Sequence, residues 1–179
     1  MNNLLDYVKE YPNAFTDTFC DMAINLFEQN AASHQHHDTP GYKFTQLDVN
    51  QVDPGLAMYF ATAVNEYAKT YFDRLGLSQF IPEYGFEDVR IKKYMPGEDD
   101  RFDTHVDVLS HNDARRFLIF ILYLDDNETG GTDFPPLNHS IRCEKDKLIA
   151  VPPTWQYPHT GLMPSGSPKY IMMTGLHYL

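Results

Sequence analysis

The chain has 179 residues, with 14 Lys and Arg against 25 Asp and Glu, which gives a formal net charge of −11. This length predicts a single domain, residues 1–179, with its own core. The acidic balance disfavours a binder of nucleic acid or of anionic membranes, because such affinity depends on many Lys and Arg side chains. Hydrophobic residues make up 42% of the chain, which excludes intrinsic disorder. The longest apolar run, residues 117–124, is too short for a membrane-spanning helix and predicts a buried strand.

Helical patterns dominate the first part of the chain. Apolar residues recur with helical spacing over about residues 18–30, and a threonine near the start can cap this helix. A second helix is predicted after Asp53, which can cap it, with Pro54 in the first helical position and Gly76 at the stop. Both helices carry apolar stripes, so we expect them to pack on a sheet.

Strand patterns dominate the rest of the chain, about residues 84–179, after helical support over about 1–78. Short runs separated by turn residues predict antiparallel strands in a sandwich or jelly roll, covered on one sheet by the helices. Gly130-Gly131 is expected to interrupt the chain. The predicted strands are 89–94, 105–109, 116–124, 132–134, 141–143, 148–151 and 169–177.

A candidate metal site begins at His105 and Asp107. Positions i and i+2 on a strand point to the same face, so this imidazole and carboxylate can share one ion. His159, delivered by the proline- and aromatic-rich segment 152–158, is the best third ligand. Two His and one carboxylate leave coordination positions open, as in mononuclear non-haem Fe(II) oxygenases. Ten residues later, Lys169 opens an apolar strand and calls for an anionic partner such as a dicarboxylate.

The other histidines are weaker candidates. His111 and His139 are rival ligands, but His111 lies in a polar turn and is expected to be exposed. His177, near the chain end, is expected at the edge of the core. The segment 33–38 contains the remaining three histidines; a polar surface loop is the preferred interpretation and a second metal site the alternative.

Five motifs occur in an order that resembles the prolyl 4-hydroxylase-like branch of the Fe(II)/2-oxoglutarate-dependent dioxygenases. They cover about residues 86–179, and the segment around His159 looks most like the small single-domain members of phages and marine bacteria. The motifs are His105-Val-Asp107, Tyr123-Leu-Asp-Asp126, Gly130-Gly-Thr-Asp-Phe-Pro135, His159 and Lys169.

The resemblance implies a double-stranded β-helix in which His105, Asp107 and His159 bind Fe(II). It implies that Lys169 pairs with the distal carboxylate of 2-oxoglutarate, with Tyr123 on the same carboxylate and Tyr94 in the cosubstrate pocket. O₂ would be the second cosubstrate and ascorbate the reductant. The implied reaction converts 2-oxoglutarate to succinate and CO₂ while a C–H bond is hydroxylated.

Substrate contacts follow less directly from the resemblance. Arg116 stands where related enzymes have an Arg facing the substrate. Phe102 replaces a Tyr that usually stands three residues before the first His, which alters the usual substrate contact. Trp155 is either a lid near the iron or part of the core, and Tyr123 could instead be simple core.

Peptidyl proline is the substrate class that the resemblance favours. A free amino acid or another small metabolite is the alternative within the enzymes, and a catalytically silent jelly-roll binding module is the alternative from another class. No nucleic acid or membrane partner is expected. The start of the chain lacks a signal-peptide pattern, and Cys20 and Cys143 form no Cys-x-x-Cys pair, so we expect the cytoplasm of a bacterium or of a phage-infected host.

Overall fold

The strands of the computed structural model, which describes residues 3–179, form a jelly roll backed by helices. The helices are α1 (Asp17–Gln29), α2 (Val49–Val52) and α3 (Pro54–Leu75). Short 3₁₀ turns occupy Leu4–Tyr7, Ala31–Ser33 and Pro135–Leu137. The strands are β1 (Lys9–Tyr11), β2 (Gln35–Thr39), β3 (Tyr42–Asp48), β4 (Gly85–Phe86), β5 (Arg90–Tyr94), β6 (Arg101–His105), β7 (Arg116–Tyr123), β8 (Asn127–Phe134), β9 (His139–Cys143), β10 (Leu148–Val151), β11 (His159–Gly161) and β12 (Lys169–His177).

All of the strand pairs in the described chain are antiparallel, and they follow one curled path. The order β1-β10-β7-β12-β5-β3 forms what we call the major sheet, and β6-β11-β8-β9 forms the minor sheet. The two are joined where β3 pairs with β6, while β2 extends from β3 and β4 pairs with β12. The curl leaves an interior between the sheets, and the site lies there.

Strand β7 is buried on both faces, by the helices on one side and by the minor sheet on the other. Leu118 and Leu122 belong to the core shared with the helices, whereas Ile119 and Ile121 belong to the core between the sheets. Alternate residues of a strand point to opposite faces, so an uninterrupted apolar run is buried on both sides. Each such side chain contributes roughly 1.5–3 kcal/mol when it is fully buried. The strand predicted at 116–124 is confirmed.

The two predicted helices are confirmed, with their caps. The Thr16 hydroxyl accepts a hydrogen bond from the Phe19 backbone N–H at 3.2 Å, and Asp53 accepts one from Leu56 at 2.9 Å. Gly76 ends α3 in the left-handed region, with φ of 69°. A side-chain cap at the start of a helix, like those of Thr16 and Asp53, stabilises the helix by about 1 kcal/mol. No helix in the described part of the chain combines the length and apolarity needed to cross a membrane.

The strand predicted at 105–109 is wrong, although its first residue is in a strand. β6 ends at His105, and Asp107 lies in the following turn. The backbone N–H groups of Asp107 and Val108 donate to the Pro153 carbonyl, at 3.0 and 3.1 Å, instead of to a neighbouring strand. The i and i+2 argument for a shared strand face therefore does not apply to this pair.

Two other expectations about irregular structure are also corrected. Gly130-Gly131 lies inside β8, which continues through it, although the pairing of β8 with β9 shifts register between Asn127 and Thr132. The segment 33–38, expected as a loop, contributes most of β2, which forms a hairpin with β3. The part of the chain expected to be mainly helical thus also carries β1, β2 and β3. Polar strands at a sheet edge lack the apolar alternation that identifies a strand in sequence.

Candidate metal and cosubstrate site

Strand pairing places the two candidate histidine ligands side by side. His105, the last residue of β6, stands opposite His159, the first residue of β11, and their ring centroids are 4.4 Å apart. The Asp107 carboxylate lies between the rings. Its Oδ1 is 3.8 Å from His105 Nε2, and its Oδ2 is 3.6 Å from His159 Nε2. One ligand atom from each of the three residues lies within 4.8 Å of the others, so the trio predicted from the sequence is brought together.

Backbone carbonyls orient both imidazole rings. His105 Nδ1 lies 2.8 Å from the Asp103 carbonyl, and His159 Nδ1 lies 3.1 Å from the Tyr157 carbonyl. A carbonyl only accepts, so each Nδ1 carries the proton and each Nε2 presents a lone pair towards Asp107. Burial lowers the pKa of His105 to about 4, with the neighbouring His159 adding to the shift. The pocket therefore favours the neutral imidazole that a metal needs.

The donor set fits a divalent metal ion. Asp107 Oδ2 is buried and has no hydrogen-bond partner in the part of the chain that the structure describes. A buried carboxylate oxygen without a donor is costly, and a cation at this position would satisfy it. Two imidazoles and one carboxylate leave room for further ligands, as Fe(II) of the non-haem type requires.

Arg116 supports this turn rather than pointing freely into the pocket. Its guanidinium contacts Glu87 through Nε and Nη2, both at 2.8 Å, and its Nη1 donates to the Asp107 carbonyl at 3.0 Å. Three of its nitrogens are thus already engaged. The geometry fits a residue that fixes the turn bearing Asp107; the substrate contact expected for Arg116 stays a prediction.

Lys169 lines the same pocket and is fully buried. Its ammonium donates to the Leu162 carbonyl at 3.3 Å and lies 4.7 Å from the centre of the Tyr94 ring. No carboxylate among residues 3–179 lies within salt-bridge distance of it. Burial lowers its pKa to about 8. A buried cation of this kind calls for an anion from outside the chain.

Tyr123 and Thr132 form the wall beside Lys169. The Tyr123 hydroxyl and Thr132 Oγ1 are 2.6 Å apart, and both side chains line the pocket. Tyr123 is fully buried, so it serves the core and the pocket at once. Gly130 is needed next to them, because a Cβ there would come within 2.8 Å of Lys169 Cδ. Sequence reasoning did not single out Thr132, although it follows the Gly-Gly motif directly.

The pocket wall next to His105 is aromatic and contains a second buried lysine. The Phe102 ring stacks on the His105 ring, with centroids 3.6 Å apart and planes at 6°. Lys92 lies on β5 two residues before Tyr94, so both side chains face the pocket. Sequence reasoning missed Lys92, although strand alternation from Tyr94 could have identified it. The free cavity inside this pocket has a volume of about 40 Å³.

The remaining candidates lie elsewhere. Trp155 is 76% exposed, which excludes the core alternative, while the lid alternative stays a prediction. His111 is exposed, as expected. His139 lies 3.9 Å from Glu10 and His34 stacks on Phe27, and neither belongs to a group of metal-binding side chains among residues 3–179.

Comparisons with known proteins connect this geometry to solved structures. No protein-family model matches the chain. No curated protein matches it either. A viral collagen prolyl hydroxylase from Paramecium bursaria Chlorella virus-1, solved as a 2OG complex, superposes with a TM-score of 0.73 at 21% identity and covers 97% of each chain. A Pseudomonas putida prolyl-4-hydroxylase gives 0.69 at 16% identity, covering 97% of this chain and 93% of its own. A Trichoplax adhaerens prolyl hydroxylase, in complex with a hypoxia inducible factor oxygen degradation domain peptide fragment, gives 0.72 at 15% identity, covering 96% and 84%.

These likenesses confirm the predicted fold. The identities are all below 25%, so what they establish is the jelly roll with its helical support. The names of the three structures agree with the family that the sequence motifs resemble. Activity and substrate have to be argued from the residues of this chain itself.

Proposed function

We propose that this chain is an Fe(II)- and 2-oxoglutarate-dependent hydroxylase. The observation that carries the proposal is one pocket containing both a His-Asp-His trio and a buried lysine without a carboxylate partner among the described residues. The trio would hold the metal through His105 Nε2, the Asp107 carboxylate and His159 Nε2. Lys169 would hold the distal carboxylate of the cosubstrate. The pairing of these two features in one pocket favours this reaction over metal binding alone.

The chain's own residues would position and shield the reactants. The ammonium of Lys169 would bind the carboxylate, with the Tyr123 hydroxyl beside it. Ile121 and Ile171 line the pocket and would exclude water, which strengthens the charged contact. The carbonyls of Asp103 and Tyr157 would keep both rings in the ligating tautomer. His105, Asp107 and His159 would hold Fe(II), which with O₂ would supply the oxidising chemistry for converting 2-oxoglutarate to succinate and CO₂ and for hydroxylating a C–H bond.

Peptidyl proline is the substrate class we propose first. The solved structures with this fold include enzymes named as prolyl hydroxylases, one of them in complex with a peptide fragment. Ascorbate would keep the metal reduced between turnovers. The two cysteines, Cys20 and Cys143, are buried and unpaired, which is compatible with a reducing, cytoplasmic compartment.

A small carboxylate-bearing metabolite, such as a free amino acid, is the second candidate substrate. The observation that favours it is the buried Lys92 in the pocket, next to Phe102, which offers no hydroxyl for a peptide backbone. A catalytically silent jelly-roll binding module remains the alternative from another class.

Succinate formation tests the proposal. The protein is incubated with 2-oxoglutarate, O₂, Fe(II) and ascorbate, with a proline-rich peptide added or omitted. Metal-dependent succinate that rises with the peptide is expected, and it should vanish in His105→Ala but persist in His111→Ala, whose exposed imidazole lies outside the trio.

Two other outcomes change the conclusion. Metal-dependent succinate that ignores the peptide would reject peptidyl proline and favour the small-molecule candidate. No succinate from the wild type under any condition, together with no binding of 2-oxoglutarate, would reject the hydroxylase and leave the binding module.

A further inference from the structure

Lys92 is a buried cation with no carboxylate within salt-bridge distance among residues 3–179. It lies on β5, is only 9% exposed, and its ammonium is 4.4 Å from the centre of the Phe44 ring and 5.3 Å from that of Phe102. Among residues 3–179 it forms neither a salt bridge nor a side-chain hydrogen bond. Its neighbour Lys93, on the opposite face of the strand, instead pairs with Glu28 at 2.7 Å. The two adjacent lysines thus have opposite environments.

This environment needs an explanation, because a buried ammonium without an anion is unfavourable. Two aromatic faces offset part of the desolvation through cation–π attraction, but they do not replace a counter-ion. Burial lowers the pKa of Lys92 to about 8, and the Asp107 carboxylate acts in the opposite direction. A ligand anion that enters the pocket would bind an ammonium that is already desolvated.

The sheet register separates Lys92 from the lysine assigned to the cosubstrate. Lys169 stands opposite Tyr94 on β5, and Ile171 stands opposite Lys92. The two lysines are therefore anchored one pleat apart, roughly 6.6 Å along the strands. Lys92 lies towards Phe102, whose ring stacks on the metal ligand His105. When Lys169 holds the distal carboxylate of the cosubstrate, this side of the pocket would stay free for the prime substrate.

We propose that Lys92 binds a carboxylate of the prime substrate, next to the carbon that is hydroxylated. The proposal rests on the proposed hydroxylase function and specifies its substrate class as an acid. Phe44 and Phe102 would contact the apolar part of the substrate, while the ammonium binds its charged end. The carboxylate could belong to a free amino acid or to an acidic side chain beside a peptidyl proline, and the two sources are distinguished below.

The test compares matched ligands that differ only in one negative charge. The protein is loaded with Mn(II) and N-oxalylglycine, an unreactive analogue of 2-oxoglutarate. It is then titrated calorimetrically with L-proline against L-prolinamide, and with N-acetyl-Pro-Glu-amide against N-acetyl-Pro-Gln-amide. The carboxylate member of one pair should bind at least tenfold more tightly than its neutral partner, as expected for a charged hydrogen bond. The pair that shows this preference identifies the source of the carboxylate.

Substitutions assign the preference to one side chain. Lys92→Met should reduce it to within about twofold while 2-oxoglutarate still binds as in the wild type, which also verifies folding. Lys93→Met removes the adjacent lysine and should leave the preference intact. No carboxylate preference in either pair, or a preference that survives in Lys92→Met, would overturn the proposal. Loss of 2-oxoglutarate binding in Lys92→Met would also overturn it, because Lys92 would then serve the cosubstrate.

The hydroxylase function can fail independently of this subsite. The same titrations are therefore repeated without Mn(II) and N-oxalylglycine. Lys92-dependent carboxylate binding in a protein that forms no succinate would retain the subsite and reject the oxygenase. Succinate formation without Lys92-dependent binding would retain the oxygenase and reject the subsite.

Discussion

At the scale of single residues, the Lys169 side chain gives the clearest support for a bound carboxylate. It is buried beneath the Tyr94 ring, and its one protein hydrogen bond within the described residues, to the Leu162 carbonyl, is long at 3.3 Å. An ammonium has three protons to donate, so most of its capacity is unused. Such an arrangement is unfavourable for folding alone but suits a site that receives a carboxylate. The free energy lost by desolvating this ammonium would be recovered when a carboxylate binds to it.

Replacing Lys169 tests this interpretation. Lys169→Met keeps the length and apolar stem of the side chain but removes the charge. We expect the affinity for 2-oxoglutarate, measured calorimetrically with Fe(II) in the absence of O₂, to fall about tenfold to 150-fold. This corresponds to the roughly 1.5–3 kcal/mol of a charged hydrogen bond. Lys93→Met, which removes a lysine paired on the other face of the sheet, is the control. Equal affinity in both variants would contradict the assignment.

Asp125 makes a second prediction at this scale, about stability and pH. Burial raises its pKa from 3.8 to about 7, although its carboxylate accepts a hydrogen bond from the Tyr170 backbone N–H at 3.1 Å. Between these two values the unfolded chain releases the proton and the folded chain keeps it. This carboxyl therefore lowers the free energy of unfolding as pH rises from about 4 to 7.

Asp125→Asn should remove this pH-dependent loss of stability while keeping an oxygen that accepts the hydrogen bond from the Tyr170 N–H. Urea unfolding is measured at pH 5 and pH 7, and the variant should gain stability relative to the wild type at the higher pH. Asp126→Asn, at an exposed neighbouring position, is the matched control. A difference between Asp125→Asn and the wild type that is the same at both pH values would exclude the proposed titration.

At the scale of elements, β8 shows how close packing uses the Gly-Gly motif. Gly130 leaves space for the Lys169 stem, as described above. Gly131 lies so close to β9 that a Cβ would collide with the Ile141 backbone carbonyl. The motif thus permits two close approaches inside a continuous strand. Sequence reasoning expected an interruption, because glycine is more often a strand breaker than a site of close contact.

Gly131→Ala tests this close approach. A methyl group against a backbone carbonyl cannot be relieved by a side-chain rotation, so β8 and β9 would have to separate. We expect the free energy of unfolding to fall by about 1–3 kcal/mol, as for other overpacked positions. Gly41→Ala, in the turn between β2 and β3 with open space around it, is the control and should change stability little. Similar stabilities for the two variants would show that β8 and β9 are not tightly packed there.

The elements also differ in how well the sequence predicted them. α1 and α3 were predicted with their caps because capping and helical periodicity are local: the Asp53 carboxylate reaches Leu56, three residues on. β11 was missed because its three residues owe their structure to pairing with β6 and β8, far away in the chain. Local patterns carry no information on such pairing. The turn at Asp107 was missed for the same reason, since its partner is the Pro153 carbonyl.

At the scale of the whole molecule, the site combines residues from both sheets. His105 and His159 come from the minor sheet, and Lys169 and Lys92 from the major sheet. The trio and Lys169 could be predicted from motif order, because each motif supplies a chemically distinctive side chain. Motif order could not identify Lys92, because its importance depends on its having no carboxylate within salt-bridge distance among the described residues. The pocket contains two buried lysines within a protein of net charge −11, so the affinity for acids that we propose would come from these lysines.

We propose that His105, Asp107 and His159 hold a metal that binds 2-oxoglutarate together with Lys169. The most direct measurement is a calorimetric titration of 2-oxoglutarate into wild-type protein without O₂, with and without Fe(II), repeated for Asp107→Ala. We predict one saturable site that requires Fe(II), and at least tenfold weaker binding when Asp107 is removed. Binding that neither requires Fe(II) nor changes in Asp107→Ala would contradict the account.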